Sequence, residues 1–196
     1  KSCTSLTNID IPENVTVIGS SAFENCENLQ SATIGNAVES IGAYAFQNCT
    51  TLANLSIGSN VRTIENHAFD KCTALTNIEI PNSVAAIRYN AFSNCTGLST
   101  VKIGNGVTEI GSSAFAYCTL LENVTLGEGI VTIGSSAFKS CKSITSLNIP
   151  EHVTEIGSSA FENCEKLQSV TIGNAVESIG AYAFQNCTKL TDLTLG

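Results

Sequence analysis

Apolar and polar positions along this chain follow two periods at once. Within Leu6-Thr7-Asn8-Ile9-Asp10-Ile11 they alternate, so Ile9 and Ile11 point inward and Asn8 and Asp10 face solvent, as in a half-buried strand. Over a longer range the whole pattern recurs at one fixed interval. Phe falls at 23, 46, 69, 92, 115, 138, 161 and 184, always after Ala and five positions after Ile. Cys falls at 3, 26, 49, 72, 95, 118, 141, 164 and 187. The unit is C-x-x-L-x-x-I-x-I-[PG]-x-x-V-x-x-I-G-x-x-A-F-x-x, repeated about eight and a half times over residues 1–196. One unit is too small to bury its own apolar residues. Stacked units bury them against their equivalents, which makes the array a solenoid with one shared core.

The period predicts parallel strands about 4.8 Å apart, so that nine of them span roughly 40 Å on one face. Pro12 or Gly35 ends the strand. The S-x-x-E spacing in Ser21-Ala22-Phe23-Glu24 fits a capping box, which predicts a short helical turn carrying Phe into the core on the other side. Each Phe is expected to contribute about 3–5 kcal/mol relative to Ala. A 23-residue period with L-x-x-L-x-L strands lies in the leucine-rich-repeat range, so the expected fold class is α/β. The expected architecture is a right-handed superhelix with a parallel sheet on one face and helical turns on the other. A parallel β-helix without helical turns is the alternative. The period and the β-type alternation exclude armadillo, ankyrin and tetratricopeptide arrays.

A second level of repetition lies above the first. Residues 1–52 match 139–190 at 42 of 52 positions, and Pro12, Pro81 and Pro150 recur at every third coil. The chain is thus expected to be a single array, an uncapped piece of a longer repeat protein whose open ends invite end-to-end self-association.

Composition narrows the function. A net charge of −8 with nine Lys and Arg argues against nucleic acid and against an electrostatic membrane anchor. No apolar run approaches the roughly 20 residues of a membrane helix, so no direct membrane insertion is expected from this piece. There is no G-x-S-x-G, H-E-x-x-H or phosphate loop. His67 and His152 lie in different coils at variable positions and are read as solvent-facing. The 17 carboxylates single out no pair, and the chain is not expected to be an enzyme or to hold a cofactor.

The units LTNIDIPENVTVIGSSAFENC, LTNIEIPNSVAAIRYNAFSNC and ITSLNIPEHVTEIGSSAFENC, with their I-G-x-x-A-F-x-x-C run, resemble the BspA-like (Treponema-type) leucine-rich repeats over the entire chain. Glu65 and Arg88 depart from the pattern by replacing Gly, and Ala32 by replacing an aliphatic strand residue. The resemblance implies a cell-surface or secreted protein of host-associated bacteria or parasitic protists, with adhesion to host matrix proteins, epithelial cells or other microbes. The shared motif residues are core residues, so the resemblance transfers no binding residue.

The cysteine row reads as buried free thiols, because parallel stacking points the side chains the same way; some disulfides or a metal site are the alternatives. Six N-x-S/T sequons matter if the source is a secreting eukaryote. The outward strand face supplies the candidate ligand-binding residues: Asn8, Asp10, Asn54, Asn77, Glu79, Thr100, Lys102, Asn123 and Thr125. They are small and polar, suited to many weak hydrogen bonds with an extended protein or a glycan, and a plain solvated sheet is the competing reading. Tyr44, Tyr89, Tyr117 and Tyr182 are secondary candidates, or packing residues between coils. The expected function is a non-enzymatic adhesion module engaging a protein or glycan, host extracellular matrix included. A structural spacer holding other domains away from the cell surface is the second reading.

Overall fold

The computed structural model describes residues 3–196 as one continuous stack of coils. Each coil carries one longer strand and one short strand. The longer ones are β1 (Asn8–Ile11), β3 (Ser31–Ile34), β5 (Asn54–Ser56), β7 (Asn77–Ile80), β9 (Thr100–Ile103), β11 (Asn123–Thr125), β13 (Ser146–Ile149), β15 (Ser169–Ile172) and β17 (Asp192–Leu195). Between them lie β2 (Val17–Ile18), β4 (Ser40–Ile41), β6 (Thr63–Ile64), β8 (Ala86–Ile87), β10 (Glu109–Ile110), β12 (Thr132–Ile133), β14 (Glu155–Ile156) and β16 (Ser178–Ile179). All pairing is parallel and joins equivalent positions of successive coils, as with Asn8 opposite Ser31 and Ile18 opposite Ile41. The sequence period is therefore the register of the fold.

The core is what the repeat requires. Phe46, Phe69, Phe92, Phe115, Phe138 and Phe161 are fully buried. Neighbouring phenyl rings stack with centroids 5.0–5.5 Å apart from Phe23 to Phe184. The cysteines form a parallel row beside them. Each interior thiol donates to a Phe carbonyl of the preceding coil: Cys72 Sγ to Phe46 O at 3.3 Å, Cys95 to Phe69 at 3.2 Å, Cys141 to Phe115 at 3.1 Å. None of the nine is in a disulfide.

The expected helical turn is not formed. Among the described residues there is no helix, and the segment around each Phe is a chain of tight turns. Ala22 N donates to Gly19 O, Glu24 N to Ser21 O and Cys26 N to Phe23 O, all i to i−3. The intervening Phe23 and Asn25 amides donate out of the coil, to Ala45 O at 2.8 Å and Gln47 O at 2.9 Å. A helix needs every amide for its own i−4 carbonyl, and here every second one bonds the next coil. Ser21 (φ 57°) and Asn25 (φ 58°) also lie in the left-handed region, which a right-handed helix does not tolerate, and this recurs in the later coils up to Tyr182 and Asn186. The S-x-x-E spacing thus marks a turn and no capping box.

These turn bonds also run opposite to those made by the residues that follow each strand. Gly35 N donates back to Ile11 O and Gly42 N back to Ile18 O, whereas Phe23 N donates forward to Ala45 O.

A second difference concerns the longer strands. The sheet of two-residue strands runs unbroken from β2 to β16, but the longer strands form three separate three-stranded sheets, β1-β3-β5, β7-β9-β11 and β13-β15-β17.

Candidate functional site

Alternation within the longer strands turns one set of side chains outward, and the repeat register places them in rows. Asn8, Ser31 and Asn54 form one row, Asn77, Thr100 and Asn123 its continuation, and Glu79, Lys102 and Thr125 lie beside the latter. All nine candidate residues are on this surface. Thr100 is half-buried and the other eight are exposed. Ser31 Oγ donates to Asn8 Oδ1 at 2.6 Å and Lys102 Nζ to Glu79 Oε1 at 2.6 Å, so neighbouring coils already engage one another along the rows. Both members of that ion pair are more than half exposed, and it contributes little to stability.

The surface is not flat. One depression of about 410 Å³ lies between β5 and β7, with Leu55, Ile57 and Pro81 as its apolar part and Asn36, Ser56, Ser59, Asn77 and Glu79 around it. A second, of about 290 Å³, brings Glu79, Lys102 and Thr125 together beside Pro81 and Leu126. A third, of about 190 Å³, adds Asn54 to Ser31, Thr33, Ser56 and Asn77. Asn54, Asn77, Glu79, Lys102 and Thr125 therefore line hollows. Asn8, Asp10, Thr100 and Asn123 line none of them. Amides, hydroxyls and one ion pair surround the aliphatic patches, so the face offers many small polar contacts; no aromatic anchor projects from it.

The opposite, turn-side surface holds a cluster around His67, a residue expected to face solvent. His67 is half-buried and does not project freely into solvent. Its ring stacks on Tyr44 at 4.9 Å and meets Tyr89 edge-on at 5.2 Å, and its Nδ1 lies 3.4 Å from Asp70 Oδ2. Asp70 is buried and also accepts from Gln47 Nε2 at 2.9 Å and Asn94 Nδ2 at 3.2 Å, so residues from neighbouring coils lock together around it. The signal was present: Tyr44 is one period before His67 and Tyr89 nearly one period after. His152 is exposed, as expected.

The interior thiols are chemically quiet. Burial pushes Cys49 up to about 12 and pushes Cys72, Cys95 and Cys118 well up, since a thiolate has no solvation there. A nucleophilic or metal-binding cysteine needs the reverse shift. Elsewhere on the turn side, the Lys139–Glu162 contact at 2.8 Å lowers the Glu162 carboxyl and raises Lys139. Among the described residues no group of three or more His, Cys, Asp or Glu is arranged to hold a metal ion. No helix among them is long and apolar enough to cross a membrane.

Parallel 23-residue coils with an outward polar strand face and a stacked Phe core define a leucine-rich-repeat protein. The chain belongs to the BspA-type leucine-rich repeat family, whose region matches residues 1–121 and 108–196 as six copies. It is similar to a leucine-rich repeat protein of Treponema pallidum, at 30% identity and a TM-score of 0.77 over 83% of this chain and 78% of that one. It also resembles a leucine-rich cell surface protein of Faecalibacterium prausnitzii (25% identity, TM-score 0.62, 100% of this chain and 74% of that one). A Bacteroides ovatus leucine-rich repeat protein matches at 25% identity with a TM-score of 0.56, over 97% of this chain and 63% of that one. No curated protein matches the chain.

Proposed function

We propose that this chain is a non-enzymatic binding module of a cell-surface protein, holding an extended protein or a glycan along its strand face. The observation that carries this reading is the register of that face. Outward polar residues recur in straight rows, so a partner with repeating hydrogen-bonding groups meets equivalent contacts coil after coil. Each contact is weak, and their sum is large when all are made by one molecule. The surface location of the F. prausnitzii relative supports the compartment. The partner belongs to the polar, uncharged or weakly basic class, host extracellular matrix proteins included, because the chain carries a net charge of −8.

The test is a panel of matrix proteins and glycans presented to the intact chain and to a variant carrying Asn54→Arg, Asn77→Arg and Thr125→Arg. A ligand bound by the parent is expected to lose at least about tenfold in affinity with the variant, as for a few desolvated polar contacts. Undiminished binding would move the site off this face. A folded parent that binds nothing in the panel would favour the spacer reading.

A further inference from the structure

The row of residues ending the longer strands reads Pro12, Gly35, Gly58, Pro81, Gly104, Gly127, Pro150, Gly173, Gly196. The glycines approach the preceding coil too closely for a side chain. A Cβ on Gly35 would meet Ile11 O at 2.6 Å, one on Gly104 would meet Ile80 O at 2.7 Å, and those on Gly58 and Gly127 would collide with the carbonyls of Gly35 and Gly104. Proline has both a Cβ and a ring, and it lacks the N–H that Gly35 donates to Ile11 O. At Pro81 and Pro150 the coil must stand away from the one before it, and the sheets part at those two steps.

Three independent rows break with them. Gln30, Ala53, Ser99, Glu122, Gln168 and Thr191 each donate an amide to the equivalent residue of the preceding coil, and no such bond is made by Thr76 or Thr145. Side-chain caps of the next coil run from Glu13 to Asn36 and from Asn36 to Ser59, restart from Asn82 to Asn105 and from Asn105 to Glu128, and restart again from Glu151 to Asn174. Leu55 and Val124, the central strand residues just before each step, are half-buried, whereas Ile78, Val101, Leu147 and Val170 are buried. The other side of the molecule ignores these steps: β6 pairs with β8 and β12 with β14, and Phe69–Phe92 and Phe138–Phe161 stay stacked at 5.1 and 5.5 Å.

We propose that Pro81 and Pro150 are flexible joints, dividing the strand face into three-coil blocks that open and close against one another about the continuous turn side. A joint closed on one side by stacked rings and turn bonds, and lacking ladder bonds on the other, bends in one direction only, toward and away from the strand face. The depression between β5 and β7 is the mouth of such a joint.

The experiment uses spin labels attached through noncanonical residues, since the chain's own thiols bar cysteine labelling. Labels at Asn54 and Thr100 straddle the Pro81 step, and labels at Asn77 and Asn123 span the same number of coils inside one block. The straddling pair is expected to give a distance distribution about twice as broad, as for a hinge against a rigid element. In Pro81→Gly that distribution narrows to the width of the other pair, and amides of residues 76–80 exchange about fivefold more slowly, the effect of one regained ladder bond. Equal widths for the two pairs in the parent would overturn the proposal whatever the variant does. So would a folded Pro81→Gly chain with an unchanged broad distribution.

Discussion

Replacing Cys95 by Ala should change the stability of this protein by an amount that depends on pH in a calculable way. Cys95 is fully buried, its thiol donates to Phe69 O at 3.2 Å, and burial holds it well above its ordinary value of 9.0. In the unfolded chain the same thiol ionises near its ordinary value. A group whose folded pKa is raised contributes stability that is complete below the unfolded pKa and falls as pH climbs toward the folded one. The window therefore opens near pH 9 and closes only at the well-raised pKa of the folded thiol. Between pH 8 and pH 10 the unfolded state gains RT ln[(1+10)/(1+0.1)], about 1.4 kcal/mol per thiol. Cys95→Ala removes that term together with the hydrogen bond and some packing. The variant should be less stable than the parent by about 1–2 kcal/mol at pH 8, and the gap should narrow by about 1.4 kcal/mol at pH 10. Urea unfolding followed by far-ultraviolet circular dichroism, in a phosphine reductant, measures both gaps. Because the thiol ionises whenever its own coil opens, the double difference holds whether the array melts as a unit or coil by coil. A gap that stays constant or widens with pH would show that Cys95 does not sit buried and neutral. The parent meets the same effect at five interior positions, Cys49, Cys72, Cys95, Cys118 and Cys164, a combined loss of about 7 kcal/mol by pH 10 if all unfold together. That is comparable to the whole stability of many domains.

Two further outcomes follow from the same core. Phe92→Ala leaves a void between Phe69 and Phe115 and should cost about 3–5 kcal/mol in urea unfolding; a loss below about 1 kcal/mol would mean the stack is not tightly packed. A disulfide reagent added to the native chain at pH 8 should modify the exposed Cys3 within minutes and leave the interior thiols untouched until urea is added, when all nine react; fast native modification of Cys95 or Cys118 would contradict their burial.

The repeat made the architecture legible because so short and strict a period admits only parallel stacking of equivalents. Phe and Cys positions gave the core directly, and the alternation around Asn8 and Asp10 gave the outward face. Local conformation was less legible. Ser21 and Glu24 have the spacing of a capping box, and nothing in that spacing reports that Ser21 lies at φ 57° or that the Phe23 amide turns to the next coil. Those choices are made by the neighbouring coil, which a local reading leaves out. The return of proline at every third coil was visible, yet its effect depends on how near Gly58 and Gly127 approach their neighbours, and that distance exists only in three dimensions. The hollows holding Asn54, Asn77 and Glu79 stayed hidden for the same reason. His67 was misplaced because a variable position in a repeat normally means exposure, and here two tyrosines from adjacent coils cover it.

The opposed senses of the turn bonds and of the bonds flanking the strands bear on the axial dipole of such an array. In an α-helix all peptide dipoles point one way and leave fractional charges at the two tips. In this stack the amides flanking the strands, as at Gly35, Glu39 and Gly42, aim toward the first coil and those of the turns toward the last, so each coil offsets part of its own axial moment. Each appended coil therefore adds less axial moment than a coil with all its amides aligned would, and the fractional charge at either tip is correspondingly smaller.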